Sequence, residues 1–383
     1  MTEKDTHPSS THPPLPPTSE DDQFNRLRLL RSRRVGISTF KRLLIEHGTA
    51  QNALAALPEV ARAAGVSKYE VCPEAVVIAE LKAARSAGAT LVAQGTAAYP
   101  DALDALTAAP PFLWSLGDIT LLQKPAIAMV GARNASSLGT RMARALARQL
   151  GEAGYVVTSG LARGIDAAAH LAALETGTIA VQAGGVDVIY PAENATLADD
   201  MATRGLRLSE QPMGLQPMAR HFPARNRIIS GLSQATIVVE AAAKSGSLIT
   251  ARDALDIGRD VLAVPGHPMD ARASGCNMLI RDGATLVRNA ADVLEALAPI
   301  APQTEPELPL APPPKPPKDS RTLTETAALH QLILDRLGPA PLAEDQLIRD
   351  LGAGADKVAP VLLDLELEGA IDRAPGGLLS RAS

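Results

Sequence analysis

The sequence predicts an α/β protein: a parallel sheet covered on both faces by helices, preceded by a small all-helical module and followed by a winged helix. Three observations predict it. Between Ala126 and Ala298 short apolar runs (AIAMV, YVVT, TIAVQ, TIVVE, DVLAV) alternate with amphipathic helical stretches, the pattern of strands buried on both faces. Several of those runs end in glycine-rich turns, as strands feeding helices do. Residues 323 to 383 read helix, helix, helix, Gly-rich hairpin, the order of a winged helix.

With 383 residues and 46% hydrophobic content, the chain can bury two or three cores. A net charge of only −5 supplies no global field toward nucleic acid, so such affinity must come from local arrangement. Cys72 and Cys276 lie about 200 residues apart and match neither a metal-ligand nor a redox spacing, which suits a reducing cytoplasm. No run of about 18 apolar residues and no apolar leader is present, so a soluble protein without a membrane span or secretion signal is expected.

Residues 1 to 22, rich in Pro, Ser, Thr and His, read as a disordered tail. Residues 23 to 72 read as a helical module; from Phe24 to Glu70 nine basic residues face three acidic ones, a net of +6. Its V-G-I-S turn, with Ser38 placed to cap the next helix, resembles a helix-hairpin-helix or SAM-like unit that meets phosphates through main-chain N–H groups. The central domain runs from 73 to 298. It opens with a helix over Glu74–Ala87, a strand over Thr90–Ala93 and a loop through Tyr99-Pro100, and continues with helices over Leu138–Ala153 and Ile165–Glu175. Residues 299 to 320 form a proline-rich spacer. The winged helix, 321 to 383, has five basic and ten acidic residues from 323 onward, and its recognition helix has Lys357 as its only cation. A duplex would repel it, which points to protein contact or regulation.

The turns collect the candidate site. VGARNASSLG places Gly131 and Arg133 before a helix whose first turn offers free N–H groups, and SGLARGID places Ser159, Gly160 and Arg163 before Asp166, read as a helix cap. RHFPARNR contributes Arg220, Phe222, Arg225, Asn226 and Arg227, and the turn after TIVVE contributes Lys244, Ser245 and Gly246. Over residues 126 to 298 the 16 basic and 16 acidic residues cancel, so the cations act only if gathered at loop edges, where Arg133, Arg163, Arg220, Arg225, Arg227 and Lys244 are expected. Arginine forks suit phosphate oxygens. Phe222 is a candidate stacking platform for bases, with Tyr190 a weaker one. No turn is G-x-G-x-x-G, so no dinucleotide cofactor is expected. The histidines share no metal spacing, and no paired carboxylates or nucleophile elbow appear, so no catalytic residues and no metal are assigned.

In order, VGARNASSLG, SGLARGIDAAAH, GGVDVIYP, SEQPMG, FPARNRIISGLS, VVEAAAKSGSLITA, GRDVLAVPG and GCNMLIRDGA resemble the DNA-processing protein family DprA, also called Smf. The resemblance spans about residues 90 to 290 and implies an extended Rossmann-like fold with a SAM-like N-terminal domain and a C-terminal winged helix. It implies a non-enzymatic, cofactor-free protein of natural transformation. Such a protein binds single-stranded DNA, duplex more weakly, and loads the recombinase RecA, usually as a homodimer. By motif it places DNA contacts at Gly131, Arg133, Ser159, Gly160, Phe222, Arg225 and Asn226, with Lys244, Ser245 and Gly246 beside them, and dimer or recombinase contacts near Leu279 and Ile280. Where some relatives have lysine three residues before the phenylalanine, this chain has Ala219, followed by Arg220. Two alternatives stay open: an enzyme of the nucleoside-monophosphate phosphoribohydrolase type, whose P-G-G-x-G-T-x-x-E motif is replaced here by SGSLITARDA, and a nucleotide-sensing winged-helix regulator.

Overall fold

The computed structural model describes residue 17, residues 19 to 298 and residues 323 to 382, in two compact units divided after Ile300. The expected spacer and all but the end of the expected tail lie outside the described residues. The tail is shorter than expected, because Ser19 accepts from the Asp22 N–H and starts helix α1 at Glu20. An N-cap serine followed by three acidic residues suits the positive end of a helix.

Helices α1 (Glu20–Arg31), α2 (Ile37–His47), α3 (Ala50–Ala63) and α4 (Glu74–Ala87) form the N-terminal module. Leu27, Phe40, Leu43, Leu54 and Val77 fill its core together with Phe112 and Trp114. Gly36, not Ser38, occupies the cap position of α2, and no side chain caps that helix. Four of the nine cations are ion-paired internally, among them Arg42 with Glu46 one turn on. Arg26 pairs with Asp22, Arg28 donates to Glu74 and to the Cys72 carbonyl, and Arg31 makes a two-pronged bond to Glu80. The exposed charge of the module is therefore smaller than its residue count.

A nine-stranded sheet follows, in the order β1-β2-β6-β5-β4-β3-β7-β8-β9. Its strands are β1 (Thr90–Ala93), β2 (Phe112–Gly117), β3 (Ala126–Val130), β4 (Val156–Ser159), β5 (Thr178–Val181), β6 (Leu206–Ser209), β7 (Ala235–Val238), β8 (Asp260–Ala263) and β9 (Thr285–Leu286). The seven strands from β6 through β5, β4, β3, β7 and β8 to β9 are parallel, whereas β2 runs antiparallel to both β1 and β6. Three of these strands, β2, β6 and the two-residue β9, go unread in the sequence. β2 follows the loop through Tyr99-Pro100, and β6 carries Arg207, whose buried guanidinium donates to the Ala198 and Val186 carbonyls.

Alternation along the strands splits the core into two layers. Ala126, Ala128 and Val130 face helices α8 (His221–Leu232), α9 (Ser247–Asp256) and α10 (Ser274–Arg281); Ile127 and Met129 face α5 (Ser137–Glu152), α6 (Ile165–Ala173) and α11 (Ala290–Leu297). Helix α7 (Ala195–Arg204) covers a smaller cluster with Leu161 and Leu174. The second unit contains α12 (Leu323–Arg336), β10 (Leu342–Ala343), α13 (Glu344–Leu351), α14 (Ala355–Leu367), β11 (Ile371–Ala374) and β12 (Leu378–Arg381), a winged helix around Ile333, Leu347, Val358, Leu362 and Leu379. No described helix is long and apolar enough to cross a membrane.

Candidate functional site

The parallel strands present their carboxyl ends along one edge, and the turns that follow β3, β4, β5 and β7 meet there with the start of α8. Two clefts open along it. The first, 620 Å³, is bounded by Gly131, Arg133, Asn226, Lys244, Ser245 and Arg272, among others. The second, 410 Å³, holds Arg163, Tyr190 and Glu193. Arg133, Ala162, Phe222 and Arg225 line both, so the two form one continuous groove.

The Arg133 guanidinium lies over the Phe222 ring, 5.1 Å from its centroid, and Tyr190 sits beside it at 5.8 Å with a 56° tilt. Tyr190 is half exposed, Phe222 is partly exposed and Arg133 is exposed. Lys244, Arg272 and Arg163 add exposed cations along the groove. The acids facing it are largely satisfied: Asp166 is buried beside Arg225, and Glu193 lies 3.5 Å from Arg163. The surface left to a ligand is cationic and aromatic.

The backbone cradles read from the sequence are filled by the protein itself. At the start of α5, Ser136 Oγ accepts from the Gly139 N–H, and the Glu240 carboxylate accepts from the Ser136 N–H at 2.7 Å. In the turn after β4, the Asp166 carboxylate accepts from Gly160 and Ala162, and His170 Nε2 accepts from Leu161. Asp166 therefore ties that turn down from within the first turn of α6 instead of capping it; Gly164 holds the cap position. With Nε2 an acceptor, His170 Nδ1 donates to Thr178 Oγ1, and burial holds the ring neutral with its pKa lowered to about 3. Anion recognition here is left to side chains.

Two arginines of HFPARNR do not sit at loop edges, because helix α8 starts at His221 and includes them. Arg225 is 5% exposed, donates to the Val181 carbonyl at 3.0 Å, and has its pKa lowered to about 10 by burial despite Asp166. Its guanidinium lies over Gly160, where a Cβ would come within 1.5 Å of it, so glycine is needed for this close approach. Arg227 points elsewhere, pairing with the partly buried Glu210, whose pKa burial raises. Gly131 is likewise set by packing, since a Cβ there would meet Ile165 at 2.6 Å. Ser159 is buried and donates to the Met129 carbonyl, lining neither cleft. Arg220 is exposed at the start of α8 and lines neither. Leu279 and Ile280 are partly buried against the core, not an exposed patch. Sequence reading missed Arg272, which lines the first cleft and donates two bonds to the Asp270 carboxylate; an arginine after the Val264-Pro265-Gly266 turn is its only signal. Among the described residues no cluster of His, Cys, Asp and Glu could hold a metal ion.

Three family models match the chain: "DNA recombination-mediator protein A" over residues 90–298, "DprA-like N-terminal HHH domain" over 20–83, and "DprA winged helix domain" over 311–377. The DNA processing protein DprA of Streptococcus pneumoniae is 47% identical over 198 residues, 51% of this chain and 70% of that one. Protein Smf of Escherichia coli is 38% identical over 288 residues, 73% of this chain and 74% of that one. Among solved structures, DprA of S. pneumoniae superposes with a TM-score of 0.60 at 36% identity, covering 71% of this chain and 97% of that one. DprA of Helicobacter pylori, described for its single-stranded DNA binding mode, gives 0.51 at 31% identity, covering 55% and 95%.

Proposed function

The chain belongs to the DprA/Smf family of DNA recombination-mediator proteins, and from that premise we propose that its groove binds single-stranded DNA in natural transformation and that the bound strand is then loaded with the recombinase RecA. One observation carries the reading: the Arg133–Phe222–Tyr190 arrangement at the junction of two cationic clefts. Magnitudes favour a base on Phe222 over the resident arginine. An exposed cation–π contact is worth about 0.5–1 kcal/mol, whereas a stacked base contributes roughly 1–3 kcal/mol. Arg133 can thus leave the ring for a phosphate with net gain. A duplex keeps its bases stacked on one another and forgoes that gain, so single strands bind preferentially.

Within the groove, Arg133, Arg163, Lys244 and Arg272 take phosphates, Phe222 and Tyr190 take bases, and Asn226, Ser245 and Gly246 line the path. Gly131, Ser159, Gly160 and Arg225 shape it from beneath. No side chain acts as a general acid or base in this scheme, and the protein works as a homodimer in the cytoplasm without a cofactor. Fluorescence anisotropy of a labelled oligonucleotide, with a duplex control, tests the reading. Single strands should bind more tightly, and Arg133→Ala and Phe222→Ala should each weaken binding; equal affinity for duplex, or unaltered binding in both variants, overturns it. Delivery is tested by the rate of RecA filament formation on a strand precoated with a single-strand-binding protein, which should rise with this chain present and stay flat if the RecA reading is wrong.

A further inference from the structure

Helix α5 turns three arginines outward. Arg141, Arg144 and Arg148 are all exposed, and none engages an ion pair among the described residues. At about 100° per residue they fall within roughly 60° of arc, along about 10 Å of helix. Their spacing makes a stripe, and a stripe of unpaired arginine forks suits a run of phosphates.

That stripe borders a third cleft, of 570 Å³, between α5 and the loop after β8. Arg141 stands on its rim, and Met142, Val239 and Val264 line it. Leu138, also lining this cleft, is 72% exposed. One ion pair joins a wall of this cleft to a wall of the groove already described. Arg272, a wall of the first cleft, reaches within 3.9 Å of Glu240, a wall of the third. The carboxylates there are engaged, Glu240 by the Ser136 N–H and Asp270 by Arg272, so little free negative charge faces the rim.

We propose that the single strand does not end in the groove but continues over the Arg272–Glu240 pair into this cleft and along the arginine stripe of α5. This rests on the groove reading and lengthens its path. The groove alone holds a short oligonucleotide; the stripe adds phosphate contacts only for a longer one.

Anisotropy with a short and a long labelled oligonucleotide tests the extension, on the full chain carrying Arg141→Ala, Arg144→Ala and Arg148→Ala together. All three sites are exposed helix positions where alanine is well tolerated. Three lost phosphate contacts lower the single-strand salt slope by about 2 and weaken long-strand binding about 100-fold at 0.1 M salt. Short-strand binding should stay unchanged, and the triple arginine-to-lysine variant should keep most of the long-strand slope. Unchanged long-strand affinity and slope overturn the extension, including the outcome in which the stripe serves an acidic protein, while loss of short-strand binding in Arg133→Ala leaves the groove reading standing. Equal weakening of short and long strands by the triple variant also overturns it, since the stripe would then belong to the primary site. A wild-type chain that binds neither length refutes both.

Discussion

Arg225 is the sharpest case of a residue whose motif suggests DNA contact and whose position dictates a structural role. Substituting methionine keeps much of its volume and removes its charge. Two effects oppose each other. Burial lowers the guanidinium's pKa to about 10, with Asp166 pulling it back up and Arg133 adding to the drop, and the cost of holding that charge disappears with it. Asp166, however, loses the cation that pulls its raised carboxyl pKa back down and is left buried and charged. Removing one member of a buried pair generally costs about 3–5 kcal/mol. We expect the second effect to dominate, so Arg225→Met destabilises by a few kcal/mol and Arg225→Met/Asp166→Asn by distinctly less. Chemical denaturation followed by tryptophan fluorescence reads this cleanly, because Trp114, the single tryptophan, is buried in the first unit and donates to Glu80. The pH dependence has a defined sign. Asp166 has a folded pKa above its unfolded value, so its contribution is greatest at low pH and is lost as pH rises through the folded value. The deficit of Arg225→Met should therefore shrink on going from neutral pH toward acid. A single variant as stable as wild type at neutral pH, or a deficit that grows on acidification, refutes the buried-pair account.

Arg133→Ala, by contrast, removes an exposed side chain and should leave the unfolding midpoint within about 0.5 kcal/mol of wild type while weakening single-strand binding, a separation that paired denaturation and anisotropy curves display. Phe222→Leu should keep stability and lose roughly 1–3 kcal/mol of binding per stacked base, read by titration at fixed salt. Gly160→Ala drives a Cβ into the Arg225 guanidinium and should cost about 1–3 kcal/mol, with the loss reduced in the Arg225→Met background. His170, with a folded pKa lowered to about 3, contributes stability that is complete above its ordinary value of 6.5 and falls away as pH drops below it; His170→Gln should flatten that acid limb in denaturation midpoints measured between pH 7 and 4.

Much of this was legible in the residues. The runs AIAMV and TIVVE announce strands buried on both faces because their alternate residues serve two separate helical layers, Ala126 and Ala128 one and Ile127 and Met129 the other. Glycine-rich turns located the site. What the sequence could not convey was where acceptors come from: Glu240 is remote in sequence from the Ser136 N–H it fills, and only the pairing of β3 with β7 brings them together. Arg225 reads like Arg133 in a string of letters, yet one is buried against Gly160 and the other is exposed, because α8 begins at His221, four residues before Arg225. β6 was hidden for a similar reason, its apolar run interrupted by an arginine that the fold buries against carbonyls.

The most direct measurement is photo-cross-linking of a 4-thiothymidine-substituted single strand to the full chain, with the linked residues mapped by mass spectrometry. Cross-links at Phe222 and Tyr190, lost when Arg133 and Lys244 are both replaced by alanine, are what the account predicts. Cross-links confined to the helical module before residue 73 or to residues 323 to 382, with none in the groove, would contradict it.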